Sequence, residues 1–154
     1  MTTPAVPVPG VAQFERFFRE AASLDVDKDD LKRFVEFENR KIYDLLLLAR
    51  AKAKANDRGA VEPVDLPIAK GLQECIHRFE ALEDAADVED LLAGLVRSRP
   101  PEAVLTEETE AQLPRVAGGI GVALAQTFRI IDSRLANPST EHWERAFRVF
   151  DLLL

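Results

Sequence analysis

The most reactive side chains of this chain lie in Glu74-Cys75-Ile76-His77, with a second histidine at His142. Glu74 and His77 stand three positions apart, which puts them on one face of a helix. A di-metal carboxylate centre needs two Glu-x-x-His pairs and further glutamates on neighbouring helices. The residue three before His142 is Ser139, so the second pair is missing. Cys75 has no His–Asp or His–Asn set to activate it as a nucleophile, and reads as a half-buried packing thiol. Gly118-Gly119-Ile120-Gly121 lacks both the preceding strand and the spacing of a dinucleotide-binding loop. These residues predict no catalytic site, no metal site and no cofactor. The chain is expected not to be an enzyme and to have no small-molecule substrate.

Charge offers another chemistry. The net charge is −7, which counts against a protein that coats nucleic acid by neutralising phosphates. The imbalance is uneven: residues 1–80 carry 13 basic and 14 acidic side chains, residues 81–154 carry 7 and 13, and all six lysines fall in the first stretch. A phosphate-binding surface is therefore to be sought there, with Lys28, Lys32, Lys52, Lys54 and Arg58 as its candidates. Arg50-Ala51-Lys52-Ala53-Lys54-Ala55-Asn56-Asp57-Arg58 has two readings. It is either the end of a helix whose cations favour the dipole or an edge that contacts phosphates.

The elements that hold these residues read as helices. Residues 1–10, with Pro4, Pro7 and Pro9, predict an extended, mobile lead-in. Val11, Phe14, Phe17, Phe18 and Ala21 mark a first helix ending near Ala22. Asp25 to Asp30 then supply caps for a long helix from about Lys28 to Asn56, apolar over much of its circumference and so packed on more than one side. A short extended piece, Ala60-Val61-Glu62, precedes a third helix over Val64–Leu82, in whose first turn Pro67 is tolerable. The pattern repeats with a short helix over Val88–Val96, a long one over Thr106–Leu135 and a last one capped by Ser139-Thr140. Pro114 either kinks the second long helix or marks its start. Strand alternation and hairpin turns are nearly absent. The class is all-α: two tandem short–long–medium units, about 11–84 and 85–154, in one domain over 11–154. Five phenylalanines, Phe14, Phe17, Phe18, Phe34 and Phe37, read as core, with some of them candidates for a self-association surface.

Asn56-Asp57-Arg58-Gly59-Ala60-Val61-Glu62-Pro63-Val64-Asp65-Leu66 resembles the strap of archaeal histones, with Arg58, Val61 and Asp65 at the matching positions. Val11 to Phe18, Leu24 to Leu31 and Asn137 to Phe147 resemble a mainly bacterial family of unknown function that carries two histone folds in one chain. The resemblance spans about Val11 to Leu154. It implies an intramolecular histone-fold pseudodimer, a structural clamp between Arg58 and Asp65, and close packing at Gly118, Gly119 and Gly121 where the two long helices cross. It transfers no catalytic residue. Gly59 and Ala60 replace the basic residue and threonine that follow the strap arginine in archaeal histones, which removes two phosphate contacts. Arg134 and Glu141 repeat the seven-residue spacing of the clamp, but alignment on Trp143 and Ala146 shifts that register by one, so no second clamp is expected.

The expected function is a protein-interaction or assembly scaffold acting on protein partners or through self-association. The alternative is weak, sequence-independent DNA binding, with a small enzyme as a remote alternative. No apolar run is long enough to span a bilayer and Met1–Gly10 does not read as a signal peptide, so no membrane association and a cytoplasmic location, with the nucleoid as an alternative, are expected.

Overall fold

In the computed structural model, residues 10–154 are described, and the expectation of a mobile lead-in over residues 1–9 lies outside them. Gly10 precedes the first helix. Its φ of 92° suits glycine, and a Cβ there would run into Leu91. Helix α1 (Val11–Ala22) follows, then α2 (Lys28–Ala55), a 3-10 turn (Pro63–Asp65), α3 (Lys70–Glu80), α4 (Ala85–Leu95), α5 (Glu107–Ile131) and α6 (Thr140–Leu153). Among the described residues the extended structure is a single bridge, Val61 with Leu105. The described residues are all-α, with six α-helices.

Short polar side chains set the helix starts. Asp27 accepts from the amides of Asp29 and Asp30 at 2.9 Å each, and Asp30 accepts from the Asp27 amide at 3.1 Å. This reciprocal cap satisfies donors that would otherwise be orphaned at the start of α2. Thr106 caps α5 through the Thr109 amide at 3.2 Å. That cap lies eight residues before Pro114, so Pro114 sits inside α5 and does not start it. Ser139 caps α6.

The third helix is shorter than its pattern predicts. It does not run from Val64: the 3-10 turn is followed by extended backbone until Lys70. Pro67 is the cause. A proline disfavours helical backbone in the residue before it, and Leu66 accordingly has φ −64° and ψ 127°.

The core is aromatic. Phe14, Phe17, Phe18, Phe34 and Phe37 are all buried, so none of them forms an exposed association surface. Their rings contact one another and reach α6, Phe18 against Trp143 at 6.1 Å and Phe37 against Phe147 at 4.8 Å. Each such side chain contributes about 1.5–3 kcal/mol by burial, and favourable ring pairs add roughly 0.5–1.5 kcal/mol.

Connecting segments far apart in sequence are joined. The α2–α3 connection meets the α4–α5 connection: Val61 donates its amide to Val104 O at 2.7 Å, and Thr106 donates to Val61 O at 3.1 Å. At the opposite end Asp25 donates to Ala136 O at 2.7 Å.

Candidate functional site

Arg58 and Asp65 meet as a bidentate pair. Arg58 Nη2 donates to Asp65 Oδ1 at 2.6 Å, Nη1 donates to Oδ2, and the Glu62 amide also donates to Oδ2 at 2.9 Å. The Asp65 side chain is buried. It lies in the 3-10 turn rather than in a third α-helix. The Arg58 hydrogen bonds hold its carboxyl below the usual value, with the Glu62 amide adding to the effect. Arg58 is raised in turn, first by its hydrogen bond to Asp65. The pair fixes the strap against the turn that follows it.

The five candidate phosphate contacts are not brought together. Lys28 and Lys32 lie at the start of α2, beside Asp29, Glu36 and Leu95. Lys52 and Lys54 lie in its last turn. At 1.5 Å per residue these groups are separated by roughly 30–40 Å along the helix. Lys52 Nζ donates to Val64 O at 2.8 Å and so serves the strap. Lys54 stays exposed and, with Arg50 and Arg58, lines a pocket of about 250 Å³ against Val61, Glu102 and Val104. Lys41, another lysine of this half, is buried. It donates to Asp151 at 2.6 Å and to Leu154 O at 3.2 Å, which ties α2 to α6.

The glycines do not serve the crossing of the long helices alone. A Cβ at Gly118 would meet the Phe79 ring at 2.5 Å, and one at Gly119 would meet the backbone nitrogen of Ile76 at 2.9 Å. Both positions admit α3. Gly121 faces Phe17 of α1 at 2.8 Å and Phe34 of α2 at 3.2 Å.

Glu74 pairs with Lys70 at 3.4 Å, and Cys75 is half-buried, its thiol raised by burial. His142 closes the α6 cap with Ser139. Glu141 pairs with Arg145 at 2.7 Å, not with Arg134.

Two polar anchors escape a reading of local pattern. Arg129 donates to the carbonyls of Ala22, Ser133 and Leu135 at 2.6, 2.9 and 2.8 Å, and so holds the opposite pair of connections. Asn39 accepts from the amides of Arg97 and Ser98 and donates to Leu95 O, which fastens α2 to the end of α4.

On α6 Leu152 is 85% exposed, Leu153 77% and Val149 38%, and Ile130 near the end of α5 is 83% exposed. A groove of about 430 Å³ opens among α3, α5 and α6, lined by Leu72, Cys75, Ala123, Val149, Phe150 and Leu153. Apolar groups so exposed are unusual when clustered.

Among the described residues the geometry thus defines an all-α protein of six helices whose connections are joined across the chain. The chain belongs to the family described as the domain of unknown function DUF1931, whose model matches residues 14–151. A crystal structure from Thermus thermophilus is 47% identical, with a TM-score of 0.84 over 94% of this chain and 97% of that one. A crystal structure of an Aquifex aeolicus protein, 22% identical, shares the fold with a TM-score of 0.84 over 99% of this chain and all of that one. An uncharacterized protein of Aquifex aeolicus strain VF5 is 22% identical over 142 residues, covering 92% of this chain and 82% of its own. Among the described residues no helix is long and apolar enough to cross a membrane.

Proposed function

We propose that this chain is a pseudodimer of two histone folds that works as a non-enzymatic protein-interaction and assembly module in the cytoplasm. The reciprocal joining of the connections supports the pseudodimer: Val61 with Val104 at one end and Asp25 with Ala136 at the other. A histone unit leaves its long helix uncovered, and here the second unit covers the first in cis at a concentration set by the connection. The observation that carries the interaction role is the apolar α5–α6 face with its groove, which gives a partner side chains to bury. The acidic net charge agrees with a protein partner better than with a polyanion.

Affinity capture from native cell extract tests this, with the wild type and a Leu152→Glu/Leu153→Glu variant in parallel. Both leucines are exposed, so the fold persists and the melting temperature stays within a degree or two. The expected result is a specific protein enriched by the wild type and depleted about tenfold or more by the variant, since charges in a desolvated contact are costly. Identical capture by the two chains would sink the reading.

A second reading, weak sequence-independent DNA binding in the nucleoid, is favoured by one observation: Arg50, Lys54 and Arg58 line one pocket at the joined straps. Fluorescence anisotropy with a short duplex would then show binding that collapses between about 50 and 200 mM salt and is lost in Arg50→Ala/Lys54→Ala, which leaves the Arg58–Asp65 pair intact. No binding at low salt removes this alternative.

A further inference from the structure

We infer that the end of the molecule carrying the Val61–Leu105 bridge is a self-complementary contact surface for a second copy of this chain. That end has two differently charged sides. One is the basic pocket of Arg50, Lys54 and Arg58, which also holds Val104. The other is a shallow depression lined by Glu62, Pro63, Val64, Thr106, Glu107 and Glu108. Val61 and Val104 line the first, and their neighbours Glu62 and Thr106 line the second, so the joined straps run between them. Each side carries one exposed valine, Val104 at 60% and Val64 at 66%.

Some of these charges are already engaged. Arg58 is held by Asp65 and Glu62, Arg50 reaches Glu102 at 3.5 Å, and Lys52 serves the Val64 carbonyl on the acidic side. Lys54, Glu107 and Glu108 are exposed and form no ion pair among the described residues. They are the groups left to recognise something else.

Symmetry makes them recognise each other. In an isologous contact every pairing occurs twice. A two-fold axis lying in the contact, along the joined straps, sets the basic side of one copy over the acidic side of the other. It also brings each Val104 toward the other copy's Val64. Exposed ion pairs are individually weak and screened by salt, so the product is a weak dimer of low-salt solution. The apolar α5–α6 face takes no part and stays free for another protein.

Sedimentation equilibrium of the full chain at about 50 and 500 mM salt tests this, using the wild type, Lys54→Glu, Glu108→Lys and the double charge swap. The expected result is a dimer at low salt that dissociates at high salt. Each single reversal weakens it about tenfold, and the double swap regains most of the loss. The two reversals also separate local from global charge. The net charge is −7, so Lys54→Glu adds to general repulsion between copies and Glu108→Lys relieves it. Local complementarity has both reversals weaken the dimer. Strengthening by Glu108→Lys would overturn the proposal, as would a wild type monomeric at both salt concentrations. So would association that ignores the reversals but is lost in Leu152→Glu/Leu153→Glu.

Discussion

Glu38→Leu stabilises this protein at neutral pH, by about 1–4 kcal/mol, which for a chain of this size is roughly 3–10 °C in melting temperature. Glu38 has no exposed surface, lies within α2, and neither carboxyl oxygen has a hydrogen-bond partner. Burial alone drives its pKa well above the ordinary 4.5. The native carboxyl therefore keeps its proton over a range in which the unfolded chain has released it. With the native state binding more protons, stability falls as pH rises from about 4.5 until the native group itself ionises, at no more than about 1.4 kcal/mol per pH unit. Asp65 and Asp151 act in another window. Their carboxyls are held below the ordinary 3.8, by Arg58 and by Lys41 respectively, so their contribution is lost only as pH falls through those lowered values. Denaturant titrations at pH 5 and pH 8 separate the effects. Glu38→Gln removes the pH-dependent part but leaves an unpaired polar group, whereas Glu38→Leu removes both. The gain from leucine is expected to be larger at pH 8 than at pH 5. An equal gain at both, or a loss, would show that Glu38 has partners after all.

Much of this architecture is legible in the residue pattern, because it is written in local signals. Asp27, Thr106 and Ser139 stop one segment and start the next through hydrogen bonds to amides two or three positions away. Arg58 and Asp65 are close enough in sequence for their spacing to suggest a pair. The rest depends on partners far along the chain. Asn39 looks like an ordinary polar residue of a long helix until the end of α4, 56 positions on, arrives to use both ends of its amide. Arg129 likewise gathers the carbonyls of Ala22 and Leu135, far apart along the chain. The last helix hides its orientation for a different reason. It is apolar on two sides: Trp143, Ala146 and Phe150 enter the core, while Val149, Leu152 and Leu153 face outward. Hydrophobic spacing finds such a helix but does not say which side is buried. Pro67 is a local signal too, but it competes with another: the restriction that it places on Leu66 outweighs the helical pattern after it.

Gly119→Ala destabilises the protein by about 1–3 kcal/mol, although alanine in a helix interior ordinarily gains about 1 kcal/mol over glycine. The reason is what the new methyl would strike. A Cβ at Gly119 lies 2.9 Å from the backbone nitrogen of Ile76 and 3.0 Å from its Cα, besides pressing on its Cγ1. A side chain can rotate away, but backbone can yield only if α3 moves as a whole. Adding Ile76→Ala should therefore rescue little, because the backbone conflict remains. Gly94→Ala is the matched control. It lies in α4, a Cβ there has nothing within 4 Å, and the substitution should raise the denaturant midpoint. If Gly119→Ala raises the midpoint as Gly94→Ala does, the close approach of α3 to α5 is not real. If the two move in opposite directions, α3 is held by the absence of a side chain. Because α3 supplies Leu72 and Cys75 to the apolar groove and α5 supplies Ala123, displacing α3 also reshapes that groove. Gly119→Ala is then expected to weaken partner capture at temperatures where the chain is still folded, whereas Gly94→Ala leaves capture unchanged.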